Sequence, residues 1–116
     1  MIQVYSGKGF SAVTQATMGV DFITMMKKPS QAPNNDLKVH VWDTAGAERF
    51  RSISLAFYKR AQGAVICFDM TRRDSFEHVT EWANSARENC PENVVTMLVG
   101  TKCDLEGERE IDQSEA

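Results

Sequence analysis

A carboxylate and a backbone N–H, three residues apart, are the groups whose types and spacing suggest chemistry. Both lie in Trp42-Asp43-Thr44-Ala45-Gly46-Ala47-Glu48-Arg49-Phe50. Immediately before them, Leu37-Lys38-Val39-His40-Val41-Trp42 alternates apolar and polar, the period of a half-buried strand. The pattern predicts that the strand stops at Asp43. Ala45-Gly46-Ala47 cannot fill a core, so an acidic side chain at a strand end is followed by backbone that something can approach closely. Open α/β sheets bind ligands at the carboxyl ends of their strands. An Asp there suits a Mg²⁺ ion, held directly or through water, and the Gly46 N–H suits a phosphate oxygen. The plain alternative is a strand running into a turn with a capping Asp.

A second phosphate site is suggested and then withdrawn near the start. Gly7-Lys8-Gly9 invites a phosphate-loop reading, but that loop needs G-x-x-x-x-G-K-[ST]. Ile2 stands where the first Gly belongs, and Gly9 has no hydroxyl to follow Lys8. The segment reads as the tail of a helix running into a loop.

The elements that must position Asp43 and Gly46 follow from periodicity. Val20 to Met26 reads as a strand, and Lys27 to Asp36 has the Pro and Asn content of a loop. With Leu37 to Trp42 the pair makes a hairpin. Leu37, Val39 and Val41 share one face, so Trp42 falls on the other with Lys38 and His40, which reads as a solvated strand residue. A Trp there is either covered by other parts of the chain or offered to a partner. Glu48 to Arg60 has poor helical periodicity, which suits a segment that changes order. Gly63 to Asp69 and Val94 to Gly100 are apolar runs that read as strands buried on both faces, as in a parallel sheet. Between them, Asp74 and Glu77 form a candidate capping box for one helix to about Asn89, with an inner stripe of Phe76, Val79, Ala83 and Ala86 and with Trp82 beside it. Pro91 marks its end. Leu105 to Ala116 is acidic and polar, a loop leading into a helix.

Composition narrows the function classes. At 116 residues the chain is at most one small domain. Its 42% hydrophobic and 25% charged residues are globular proportions, and a net charge of −3 gives no footprint for nucleic acid. No apolar run is long enough to cross a bilayer, and no signal peptide is visible. Cys67, Cys90 and Cys103 lack metal-ligand spacing and read as reduced thiols, with Cys67 and Cys103 as packing residues beside apolar strands.

The Trp42–Phe50 run resembles the switch II entry of the small GTPases, and its flanking Trp42 and Glu48-Arg49-Phe50 resemble the Rab branch of the Ras superfamily. Tyr5 to Ser11 is similar to the junction after the first helix in Rabs, and Thr17-Met18-Gly19-Val20-Asp21-Phe22 to their switch I. Thr101-Lys102-Cys103-Asp104 resembles the guanine motif Asn-Lys-x-Asp, with Thr101 in place of Asn. The resemblance implies a partial P-loop NTPase (Ras-like) fold: three-layer α/β, with a mostly parallel sheet carrying one antiparallel hairpin strand. It implies GTP or GDP with Mg²⁺ as cofactors. Thr17 and Asp43 would hold the metal, with Thr17 also on the terminal phosphate beside Gly46. Thr101, Lys102 and Asp104 would hold the base, the Asp104 carboxylate accepting from guanine N1–H and the 2-amino group. Phe22, Trp42 and Phe57 match the aromatic triad that Rabs present to effectors, the third being often Tyr in the family.

The same resemblance carries departures. Ala47 stands at the usual position of the Gln that orients the attacking water, so intrinsic hydrolysis is expected to be slow. The family's P-loop and first strand would precede Met1, and its last guanine loop and prenylated cysteines would follow Ala116; the expectation is a domain, residues 1–116, truncated at both ends. Each lost charge-assisted phosphate contact is worth roughly 1.5–3 kcal/mol, so weak nucleotide binding is expected. The implied function is a GTP-binding and hydrolysing switch in vesicle-mediated intracellular protein transport. Its partners would be effectors, an exchange factor and a GTPase-activating protein. Its place would be cytoplasmic, on the cytosolic face of endomembranes for the intact family, and reached only indirectly here because this chain has no lipidation motif. The alternative is a nucleotide-free module binding effectors or regulators, or a non-functional fragment.

Overall fold

The computed structural model describes residues 7, 9, 11, 16–46 and 51–116. The chain divides into two compact units, residues 1–57 and 58–116. Each brings one strand pair: an antiparallel hairpin in the first and a parallel pair in the second. These are the two pairing types that the Ras-like α/β class calls for.

In the first unit, β1 (Val20–Lys27) pairs with β2 (Leu37–Thr44). The register runs from Val20 opposite Thr44 to Lys27 opposite Leu37. Between them the Pro- and Asn-rich segment turns through Ala32 N–H to Pro29 C=O at 3.1 Å and Asn35 N–H to Ala32 C=O at 3.0 Å. Side chains alternate across a strand. Ile23, Met25, Val39 and Val41 are half-buried on one face, while Phe22, Thr24, His40 and Trp42 are exposed on the other. Gly19, with φ of 82°, takes the left-handed conformation at the entry to β1, and its carbonyl accepts from Ala45 N–H at 2.8 Å. That bond carries the pairing past Asp43, so β2 does not stop there: Asp43 lies inside the ladder, opposite Asp21.

A helix follows, α1 (Arg51–Tyr58). The poor periodicity of this stretch concealed it. Eight residues are too few to be stable as an isolated helix, so tertiary contact must hold it. Phe57, on its last turn, stacks on Trp42.

The second unit is built on β3 (Gly63–Asp69) and β4 (Val95–Thr101), joined by α2 (Arg73–Glu77) and α3 (Val79–Asn89). The strands begin and end together, Gly63 beside Val95 and Asp69 beside Thr101. The helices pack on one face of β3, where Ile66, Phe68 and Ala86 are buried and the Phe68 and Phe76 rings lie 5.0 Å apart. A Cβ at Gly100 would meet Met70 side-chain atoms at 3.0 Å and Phe68 Cζ at 3.2 Å, so a larger residue there requires these side chains to shift.

Four expectations are corrected in this unit. The two strands are not buried on both faces: Val65 is 58% and Met97 59% exposed, and Val95 is exposed with them. An apolar run reports that a strand can be covered twice, and the helices of this unit cover it once. Cys67 shares the uncovered face and Cys103 lies in an exposed turn, so neither is a packing residue. The single helix is two, interrupted at His78, whose ring Nδ1 lies 2.6 Å from the Asp74 carbonyl. The capping box is absent as well. Arg72 is the N-cap, and Asp74, two residues further on, pairs with the Arg72 guanidinium.

The acidic tail is better tied than its composition suggests. Glu110 N–H and Ile111 N–H both donate to Met70 C=O, at 2.9 and 3.3 Å. Arg73 donates from its N–H to Glu110 Oε2 at 2.6 Å and from its guanidinium to the Glu110 carbonyl at 2.8 Å, and it pairs with Glu115. Ile111 has no exposed surface, the one large side chain fully buried among the described residues. Replacing Ile111 with Ala should therefore lower the unfolding free energy by about 2–4 kcal/mol, measured by urea denaturation followed by circular dichroism. An unchanged midpoint and slope would show that the tail is not part of the folded unit.

Candidate functional site

The first unit holds Thr17, Asp43 and Gly46. Thr17 is half-buried just before β1, and its hydroxyl has no partner among the described residues. Asp43, one residue from the end of β2, is half-buried and makes no ion pair among the described residues. Burial, and then the Asp21 carboxylate opposite, raise the Asp43 carboxyl above the usual carboxylate range. Sequence reasoning missed Asp21 in this role; the signal was there, since a hairpin register that aligns the two apolar faces also aligns these two acids. Carboxylates and a hydroxyl are hard oxygen donors, the kind that suits Mg²⁺. Gly46 is exposed, and a Cβ added there would meet nothing within 4 Å, so its backbone stands open to approach. Ala47 lies outside the described residues, as do Glu48, Arg49 and Phe50.

On the other face of the hairpin the three aromatics come together. The Phe22 and Trp42 ring centroids are 4.3 Å apart, and those of Trp42 and Phe57 4.4 Å apart and stacked. His40 is exposed but not merely solvated: its ring meets Phe22 edge-on at 5.3 Å. Phe22 and Trp42 each remain more than 40% exposed, so the stack is an open surface and not a small core. Such aromatic pairs contribute about 0.5–1.5 kcal/mol beyond their burial.

The second unit holds Thr101, Lys102 and Asp104. Thr101 ends β4, and its Oγ1 donates to the Phe68 carbonyl at 2.8 Å, fastening the two strand ends together. Lys102 follows in the left-handed conformation, with φ of 61°. It is the one non-glycine residue with positive φ among those described, and its Nζ lies 2.7 Å from Asp69 Oδ2. Leu105 N–H closes the turn on Lys102 C=O at 3.0 Å. Asp104 is exposed on this turn with no partner among the described residues, so both carboxylate oxygens are open to donors from a ligand. Sequence reasoning missed Asp69, which it treated only as the end of an apolar run. Burial alone would raise the Asp69 carboxyl; hydrogen bonds from Lys102 and Thr71 outweigh it and hold the group below the usual range.

The antiparallel hairpin and the parallel strand pair are consistent with a Ras-like α/β domain, and the family model described as "Ras family" matches residues 1–116. The chain belongs to the Ras family, on its Rab branch. It is similar to "Ras-related protein RABA4d" of Arabidopsis thaliana, 41% identical over 107 residues, which are 92% of this chain and 47% of that protein. The chain thus spans about half the length of the curated relative it matches.

The raised Asp43 group sets a pH dependence whose sign is fixed. A carboxyl that binds its proton more tightly in the folded state makes folding more favourable as pH falls through the folded-state pKa, and less favourable above it. Carboxyl-carbon NMR titration should therefore find Asp43 titrating above an ordinary aspartate, and Asp21→Asn should move it down. A midpoint unmoved by Asp21→Asn would contradict the cross-strand repulsion.

Proposed function

We propose that this chain is the switch-bearing part of a Rab-type guanine-nucleotide switch. The observation that carries the reading is the placement of Thr101-Lys102-Cys103-Asp104 at the end of β4 and in the turn after it, the carboxyl end of a parallel strand pair. That is where α/β sheets bind their ligands. Asp104 accepts from guanine N1–H and the exocyclic amine, donors that adenine does not offer there. The apolar stem of Lys102 covers the base plane. Asp43 and Thr17 hold Mg²⁺ through oxygen, and the metal when bound neutralises phosphate charge. The Gly46 N–H meets the terminal phosphate, so that loss of this phosphate releases the loop around it. Phe22, Trp42 and Phe57 are the surface that reads this change out to an effector.

The reaction proposed is hydrolysis of GTP to GDP and phosphate. Ala47 offers no group to orient the water, so the intrinsic rate is slow and an activating partner has to supply the missing amide. The cellular role that goes with this chemistry is control of vesicle-mediated protein transport, with an exchange factor and effectors as further partners. No helix among the described residues is long and apolar enough to cross a membrane.

Mg²⁺-dependent binding of labelled GTP tests the reading, with EDTA and excess ATP as controls. Binding should be displaced by GDP and not by ATP. Asp104→Ala, which removes two charge-assisted hydrogen bonds, should weaken it by about 3–6 kcal/mol, or 10²–10⁴-fold. Binding that ATP displaces as well as GDP, or that survives Asp104→Ala, would overturn the assignment.

A further inference from the structure

We propose that Asp69 is a positioning residue for guanine recognition, acting through Lys102; the inference rests on the nucleotide reading above and extends it. The Asp69 carboxylate is fully committed. Its Oδ1 accepts from Thr71 N–H at 2.9 Å and from Thr71 Oγ1 at 2.7 Å, and its Oδ2 takes the Lys102 ammonium at 2.7 Å. Its own backbone N–H donates to Ser75 Oγ at 2.9 Å, and that hydroxyl lies 2.8 Å from the Arg72 carbonyl. The strand end, the turn after it and the first turn of α2 therefore fix one carboxylate oxygen in place. With Oδ1 so held, Oδ2 of the same carboxylate faces Lys102, the one residue of the guanine motif whose backbone is in an uncommon conformation.

Lys102 is held at both ends. Its backbone is fixed at φ of 61° by the turn that Leu105 N–H closes, and its ammonium is fixed on Asp69. A residue in the left-handed region persists where its surroundings over-determine it. Between two fixed ends the four-carbon stem loses most of its rotamer freedom before any ligand arrives. A purine plane meeting it then needs to order little, which is how a supporting group raises affinity without touching the ligand. The side chain is 52% exposed while that of Asp69 is 16% exposed, so the pair sits at the surface with its anchor turned inward. A purely structural ion pair would work equally well with the lysine in ordinary backbone. The strained position, two residues before the free Asp104 carboxylate, ties the pair to the recognition turn.

Two readouts separate this inference from the nucleotide reading. The first needs no nucleotide. Lysine acylation by N-hydroxysuccinimide acetate, followed residue by residue by mass spectrometry, reports how readily each ammonium leaves its partner. In Asp69→Asn the Lys102 rate should rise severalfold relative to Lys38 and Lys59, and Asp69→Glu should restore part of the protection. Should Asp69→Asn fail to fold, Thr71→Ala keeps the charge while loosening its anchor and should give a smaller rise in the same direction. The second readout is the affinity for fluorescent GDP. Asp69→Asn should weaken it on the order of tenfold, as loss of a supporting shell does, with the Mg²⁺ dependence unchanged. Equal Lys102 rates in folded wild type and variant would overturn the contact. A faster Lys102 with unchanged GDP affinity would overturn its role toward the base. Wild-type chain that protects Lys102 but binds no guanine nucleotide would fail the nucleotide reading itself, and with it this role.

Discussion

The second unit depends on where its two parallel strands end. Asp69 and Thr101 are register partners, so β3 and β4 finish at the same level. A parallel ladder slipped by two residues would keep every face assignment and still separate these ends by one side-chain repeat. The Thr101 hydroxyl on the Phe68 carbonyl resists that slip, and Gly100 sits close against the Met70 and Phe68 side chains. Because the ends coincide, the carboxylate leaving β3 and the lysine leaving β4 can meet. The Asp69–Lys102 pair is thus a consequence of register as much as of residue identity.

Parity does the corresponding work in the hairpin. A strand offers its side chains to two faces in strict alternation. With Phe22 opposite Trp42, the aromatic pair occupies one face, and Asp21 opposite Asp43 must then occupy the other. The aromatic surface and the paired carboxylates are therefore carried by adjacent residues of the same two strands, back to back. Burial first, and then the Asp21 carboxylate across the ladder, raise the Asp43 carboxyl.

Much of this was legible in the sequence, and the failures share a cause. Gly63–Asp69 was read to the residue, because an apolar run bounded by Gly and Asp has few other forms. The placement of Trp42 away from Val39 and Val41 follows from alternation alone. Burial was misjudged where it depends on a covering layer, as at Val65, Cys67 and Met97, since periodicity describes a strand and not what lies on it. Ile111 was invisible among acidic neighbours, because one buried side chain has no period. Helix α1 was hidden for the converse reason: its stability comes from contact, of which the Trp42–Phe57 stack is the described part. Asp69 was missed because its partner stands 33 positions away, a distance that no local pattern spans.

The account rests most heavily on the turn after β4 as the reader of a purine, and amide chemical-shift mapping addresses that turn directly. Titrating isotope-labelled chain with GDP and, separately, with ADP should move the signals of residues 101–105 with GDP and leave them in place with ADP. Equal shifts with both nucleotides, or GDP shifts that leave residues 101–105 untouched, would contradict it.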